Sequence, residues 1–308
     1  MKKIFLLFTA AAMSVGAMFA QDINQATENY NNGAMELQMD NKEAALGYFQ
    51  TALTMAEALG EEGAELATNC KNTIPAIMSS MAKDLIKAEN YDAALEQLNK
   101  TIETAELYGA ADVVADAKDL IPSVYLSKGN DLLKAKDAAG ATAAFQQVLA
   151  MDPANGMASL LLGQALTAQG KVAEAEAAYL QAAENGQETN AKKQLSRMYL
   201  KLAQTALKGK KSQDAYDHAV KANSFLEDAN AYKIAASAAQ QLGKNADCIA
   251  NYEKYLEIKP NAKDAAGVKF TIAALYQQAG NKAKAKEFYQ MVVNDPQYGA
   301  GAQEQLKT

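Results

Sequence analysis

The sequence has no tryptophan, one histidine, two cysteines and five prolines among its 308 residues, and Arg197 is its only arginine. Each shortage removes a class of chemistry. One imidazole and no CxxC pair exclude a His-rich or Cys-rich zinc site, so no metal is expected. Cys70 and Cys248 stand 178 residues apart and read as small buried hydrophobes rather than a bridge. Without tryptophan the chain lacks the usual side chain for stacking on sugars. GxSxG, P-loop, HExxH and GxGxxG motifs are all missing, and no cofactor is implied. "DAKDLIPSVYL" lacks the oxygen ligands and central glycine of a calcium loop.

Long apolar runs are also missing, with one exception at the start. Met1-Lys2-Lys3 is followed by Ile4 to Ala20, apolar or small apart from Thr9 and Ser14. This has the form of a secretory signal peptide over residues 1–20, cut after Ala20 or Ala17. Its 17 residues also sit at the short limit for an uncleaved anchor. No other segment is long enough to span a membrane, so the mature chain is expected to be soluble. Removing Lys2 and Lys3 takes the formal charge from −6 to −8. Such an acidic chain is not a general nucleic-acid binder.

What fills the chain instead is Ala, Leu, Lys, Glu and Gln, without strand alternation, which predicts an all-α protein. Small and ring residues recur along it. Gly163, Gly170, Ala175, Tyr179 and Ala182 form one set, and Gly129, Ala141, Phe145 and Val148 lie 34 residues upstream, closed by Pro153. Gly33, Ala45 and Phe49 repeat the marks, as do Ala82, Ala94 and Leu98, then Ala203, Ala215 and Ala219. Ala236, Gly243, Cys248, Tyr252 and Pro260 follow, and finally Ala273, Gly280, Ala285 and Tyr289. The steps between the seven sets are 49, 47, 34, 40, 33 and 37 residues.

This pattern resembles the tetratricopeptide repeat, a helix–turn–helix unit of about 34 residues, of the exported bacterial type. The resemblance implies a right-handed α-solenoid of about seven units, the first three with longer helices. The units fall near residues 26–59, 64–108, 112–154, 156–188, 191–227, 229–261 and 265–296, within a solenoid spanning 21–296. Residues 297–308 read as a capping segment over the last apolar face. Gly163 is expected to let its helix approach Ala175, while Tyr179 fills space towards the next unit. Gly170 and Gly243 belong in tight turns, where positive φ favours glycine. Ile74-Pro75 and Ile121-Pro122 align inside the two longest units, as helices with a proline kink or restart. The 40-residue step points to a loop insertion at "LKGKKSQ".

By the family register, the first helix of each unit lines an inner groove. One inward level reads Tyr30, Ser79, Leu126, Leu160, Leu200, Lys233 and Phe270. A second reads Ala34, Lys83, Asn130, Gln164, Gln204, Ser237 and Ala274. Leucines beside a ladder of amides suit an extended peptide, whose backbone both donates and accepts. The family's clamp for acidic chaperone tails needs lysine in the slot where Leu126, Leu160 and Leu200 stand, so that activity is not implied.

One charged stretch stands out. Lys192, Lys193, Arg197, Lys201, Lys208, Lys210 and Lys211 lie between Glu188 and Asp214 with no acid among them. It reads either as an anion-binding patch, for an acidic partner, a sugar acid or lipid headgroups, or as a solvated lysine face. His218 could share a helix face with Asp214 but has no nucleophile near it. Glu61-Glu62 and the pair Glu174/Glu176 read as solvated charge. The expectation is therefore an exported, non-enzymatic scaffold of the periplasm or cell envelope of a bacterium, binding a protein or peptide in its groove. A glycan- or small-ligand-binding envelope protein is the alternative.

Overall fold

The computed structural model describes residues 23–307, and the expected signal peptide lies outside the described residues. Those residues form helices and turns, with no strand among them. The helices are α1 (Ile23–Gln38), α2 (Lys42–Ala58), α3 (Ala64–Lys87), α4 (Tyr91–Tyr108), α5 (Ala111–Lys134), α6 (Ala138–Met151), α7 (Gly156–Ala168) and α8 (Val172–Ala182). They continue with α9 (Glu188–Lys208), α10 (Ser212–Phe225), α11 (Ala229–Gln241), α12 (Asn245–Ile258), α13 (Ala265–Gln278), α14 (Lys282–Gln290) and α15 (Gly299–Gln305). No helix among the described residues is long and apolar enough to cross a membrane. The described residues divide into two compact units, with the boundary between Lys128 and Gly129, inside α5.

The first fourteen helices pair as seven hairpins, and one turn geometry joins every pair. Its middle residue takes positive φ: Asp40 (60°), Glu89 (58°), Lys136 (65°), Gly170 (75°), Lys210 (58°), Gly243 (71°) and Gly280 (79°). The next N–H then reaches back across the helix end. Asn41 donates to the Glu36 carbonyl at 2.8 Å, Asp137 to Leu132 at 2.8 Å, and Lys171 to Leu166 at 3.0 Å. This satisfies carbonyls that the helix end would otherwise strand. The following helix is in some pairs capped by a side chain: Asp137 accepts from Gly140 N–H at 2.9 Å, and Asn281 from Lys284 N–H at 3.2 Å.

Three of the hairpins close over a missing side chain, and the other four over a buried alanine, Ala82, Ala203, Ala236 or Ala273. A Cβ on Gly129 would stand 2.4 Å from Phe145 Cε1, and one on Gly163 would stand 2.6 Å from Tyr179 Cδ1. Gly33 meets Phe49 in the same way, at 2.9 Å. The ring therefore lies on the glycine of its own hairpin. This corrects the expectation that Tyr179 reaches mainly towards the next unit. Phe49, Phe145 and Tyr179 are almost fully buried as a result, each burial contributing about 2–3 kcal/mol.

Neighbouring hairpins complete the core. In the first unit Phe49, Leu53, Cys70, Ile74 and Met78 share one cluster, and Leu98, Ala117 and Val124 another. In the second unit Ala203, Ala215 and Ala219 of α9 and α10 meet Ile234, Ala235 and Ala238 of α11. At its far end Ala302 of α15 joins Ile272, Phe288, Tyr289 and Val292. Both cysteines are free and buried, one in each unit, and burial pushes their thiols up to about 11.

Two departures concern length. Pro75 and Pro122 lie inside α3 and α5, each of which runs unbroken for 24 residues. The expected insertion at "LKGKKSQ" is not a loop. Leu207 and Lys208 end α9, Ser212 and Gln213 start α10, and only Gly209–Lys211 lie between. The extra residues lengthen α9 to 21, after a kinked turn, Ala183–Gln187, where Gly186 has φ 84°.

Candidate interaction surface

The first helix of each hairpin in the second unit buries one face and leaves another in solvent. Along α9, Ala191, Leu195, Met198, Tyr199, Ala203 and Ala206 are buried, whereas Lys193, Arg197, Lys201, Gln204 and Lys208 are exposed. The exposed set recurs every three or four residues, which aligns it in one stripe. At about 1.5 Å per residue the stripe is about 22 Å long. It carries four cations and an amide. The acid of α9, Glu188, is drawn off by Lys192, whose ammonium lies 2.5 Å away. Lys192 thus pairs within the helix rather than joining the stripe. Lys210 and Lys211 sit in the turn beyond α9.

The two expected groove levels part company. Gln164, Gln204, Ser237 and Ala274 hold equivalent positions on α7, α9, α11 and α13, and none of them is buried. Asn130 on α5 is half-exposed too. The leucine level is different. Leu160 is only 6% exposed and belongs to the core, so it does not line a groove. Leu200 packs against the α9–α11 cluster of alanines and Ile234. Leu126 is partly buried, and Ser79 fully so. Lys233 at this level is tied to Asp264 at 2.5 Å and lies 5.7 Å from the Tyr255 ring centre. Phe270 packs edge-on to Tyr289 at 5.3 Å and beside Tyr298 at 5.6 Å. The physical reason is depth: this position sits where adjacent hairpins touch, so its large side chains hold the stack. The accessible face of α9 is therefore polar and cationic.

Sequence reasoning missed a half-buried polar cluster on the other side of α9. The Glu176 carboxylate of α8 accepts from the Tyr199 hydroxyl and the Lys221 ammonium, both at 2.7 Å. Burial opposes ionisation of Glu176, but the hydrogen bonds from Lys221 and Tyr199 outweigh it and hold the carboxyl below its usual range. Lys221 also lies over the Tyr199 ring at 4.6 Å, and His218 stacks beside that ring at 5.8 Å. Glu176 is thus a bonded link between hairpins and not solvated charge. The imidazole of His218 is a packing partner of Tyr199. Glu61, Glu62 and Glu174 are exposed.

The first unit has its own concavity. A cavity of about 550 Å³ opens between α2, α3 and α4, floored by Leu46, Leu53, Ile74 and Met78 and rimmed by Gln50, Gln97, Lys100 and Tyr108. Leu107 on its rim is 74% exposed. Only the folded packing of three helices brings these residues together, so no local motif announces them.

Residues 126–189 and residues 229–262 each match a tetratricopeptide-repeat family model. No curated protein matches the chain. Among solved structures, MamA is 21% identical, covers 59% of this chain and 94% of its own, and superposes with a TM-score of 0.36. YrrB, described as a TPR protein with an unusual peptide-binding site, is 17% identical over 59% of this chain and 91% of its own, with a TM-score of 0.33. The APC/C hetero-tetramer Cut9–Hcn1 covers 95% of this chain and 78% of its own at 14% identity, with a TM-score of 0.30.

Proposed function

We propose that this tetratricopeptide-repeat protein is an exported, non-enzymatic scaffold that holds a segment of another protein against the exposed faces of its first helices. The single observation that carries the reading is the row Gln164–Gln204–Ser237. Equivalent positions on three successive first helices keep polar groups out of the core, while Leu160 beside the first of them is buried and Leu200 beside the second is half-buried. Amides and a hydroxyl can pair with a peptide backbone without demanding one side-chain sequence. The Lys193–Lys208 stripe supplies charge alongside. Export rests on the form of residues 1–20, and the periplasm or cell envelope is where such a chain would work.

The test places a photo-crosslinking side chain at Gln164, Gln204 or, as a control, Val220, which is exposed on α10. Gln164 and Gln204 are expected to capture the same partner segment in cells, and Val220 to capture none of it. Equal capture from all three positions refutes the site. Export is read from the mature N-terminus, expected at Gln21 or Met18; a retained Met1 on a cytosolic product refutes it.

One observation favours the small-ligand alternative, namely the apolar-floored cavity of the first unit, whose size falls within the range of small-molecule sites. A thermal-shift screen with glycans and apolar ligands separates the two readings. Stabilisation lost on Met78→Gln supports the alternative.

A further inference from the structure

We infer that the segment held along α9 is extended and acidic, with carboxylates at alternate residues. This rests on the scaffold reading above and names the chemistry of its partner. Lys193, Arg197 and Lys201 are exposed, lie on one face of α9 and follow each other at four-residue intervals. Four helical residues rise about 6 Å. Alternate side chains on one side of an extended chain are about 6.7 Å apart. The two repeats agree closely enough for flexible cation side chains to absorb the difference. Gln204 comes next on the same face, and Lys208 follows one further helical turn on.

The surroundings fix the sign and the form of the occupant. Glu188 is held by Lys192, so it does not neutralise the stripe. Before the neighbouring α11, Glu227 accepts from the Tyr232 hydroxyl and Asp228 accepts from the N–H groups of Asn230 and Ala231. In a chain of formal charge −6 this leaves a local excess of cations in one line. Arg197 brings a planar fork that takes a carboxylate with two hydrogen bonds. On the neighbouring α7, Gln164 holds the position equivalent to Gln204, so two amides can pair with the peptide groups of an extended backbone, whereas the Ser237 hydroxyl of α11 lies 3.3 Å from that of Tyr252. A helical partner buries its own backbone groups and has no use for them.

The experiment measures fluorescence anisotropy of labelled peptides of about 12 residues against the purified chain. One peptide alternates Asp with Thr; a second has the same composition with all Asp in one block; a third alternates Asn with Thr. The alternating acidic peptide is expected to bind at least about tenfold more tightly than the Asn form and several-fold more tightly than the blocked form. Its affinity falls as NaCl rises from about 50 to about 300 mM. Lys193→Gln, Arg197→Gln and Lys201→Gln together abolish the preference. The exposed pair Lys210→Gln and Lys211→Gln keeps it. Because all these side chains are exposed, circular dichroism should show both variants folded. Equal binding of the alternating and blocked peptides overturns the spacing. A preference for the Asn peptide overturns the charge while crosslinking at Gln204 still upholds the scaffold. If phosphatidylglycerol vesicles or a second copy of the chain claim the stripe in place of every peptide, the inference is likewise overturned.

Discussion

The left-handed turn residues give a test with an unusual sign. Glu89 (φ 58°) and Lys136 (φ 65°) occupy the position that Gly170, Gly243 and Gly280 fill in other hairpins. Both are exposed. An L-residue in this region costs about 1–2 kcal/mol. Glycine removes that cost but returns about 0.5–1 kcal/mol through the greater freedom of its unfolded chain. Glu89→Gly and Lys136→Gly should each therefore stabilise by about 0.5–1 kcal/mol, an unexpected result for glycine substitutions. At about 2–4 °C per kcal/mol for chains of this size, the melting point should rise by about 1–4 °C. Urea titration followed by circular dichroism is the assay, and the midpoint should rise without a change in slope. Gly170→Ala is the mirror control and should lose about 1 kcal/mol. If both glycine variants lower the midpoint, the positive-φ turn is not shared by all the hairpins and the reasoning fails.

Two further outcomes follow from the packing. Gly129→Ala sets a methyl group 2.4 Å from the Phe145 ring and should cost about 1–3 kcal/mol, and the cost should shrink in a Phe145→Leu background; a full cost in both backgrounds would place the clash elsewhere. Glu176 has a lowered folded-state pKa, so its stabilisation is complete above the ordinary glutamate range and is lost as pH falls through the lower folded value. Glu176→Gln should accordingly destabilise the second unit at neutral pH by about 1–2 kcal/mol and flatten the loss of stability below about pH 4.5; an unchanged acid profile would count against the link.

The repeat was legible because it is written in steric exceptions. Gly129, Gly163 and Gly33 must lack a side chain under a ring, and the rings of Phe145, Tyr179 and Phe49 mark the other half of that fit. The turns were half legible. Gly170 and Gly243 announce positive φ, whereas Glu89 and Lys136 adopt it under the constraint of their two helices and look like ordinary surface residues. The length of α9 was misread because "GKK" resembles the middle of an insertion, although only three residues separate the helices. In the candidate site, register was easier to read than depth. The period places Leu160 and Gln164 one turn apart, but the neighbouring hairpin decides that the first is core and the second meets water. Glu176 was missed because its partners lie on two other helices, 23 and 45 residues away.

Cys70 and Cys248 divide the chain between them, one sulfur sealed within each compact unit. With both thiols shifted up to about 11, neither reacts readily while its surroundings are intact. Alkylation then requires local opening, and the mass of each cysteine-bearing peptide records how often its own half has opened. The molecule thereby carries a built-in clock for the unravelling of each half, with no residue substituted.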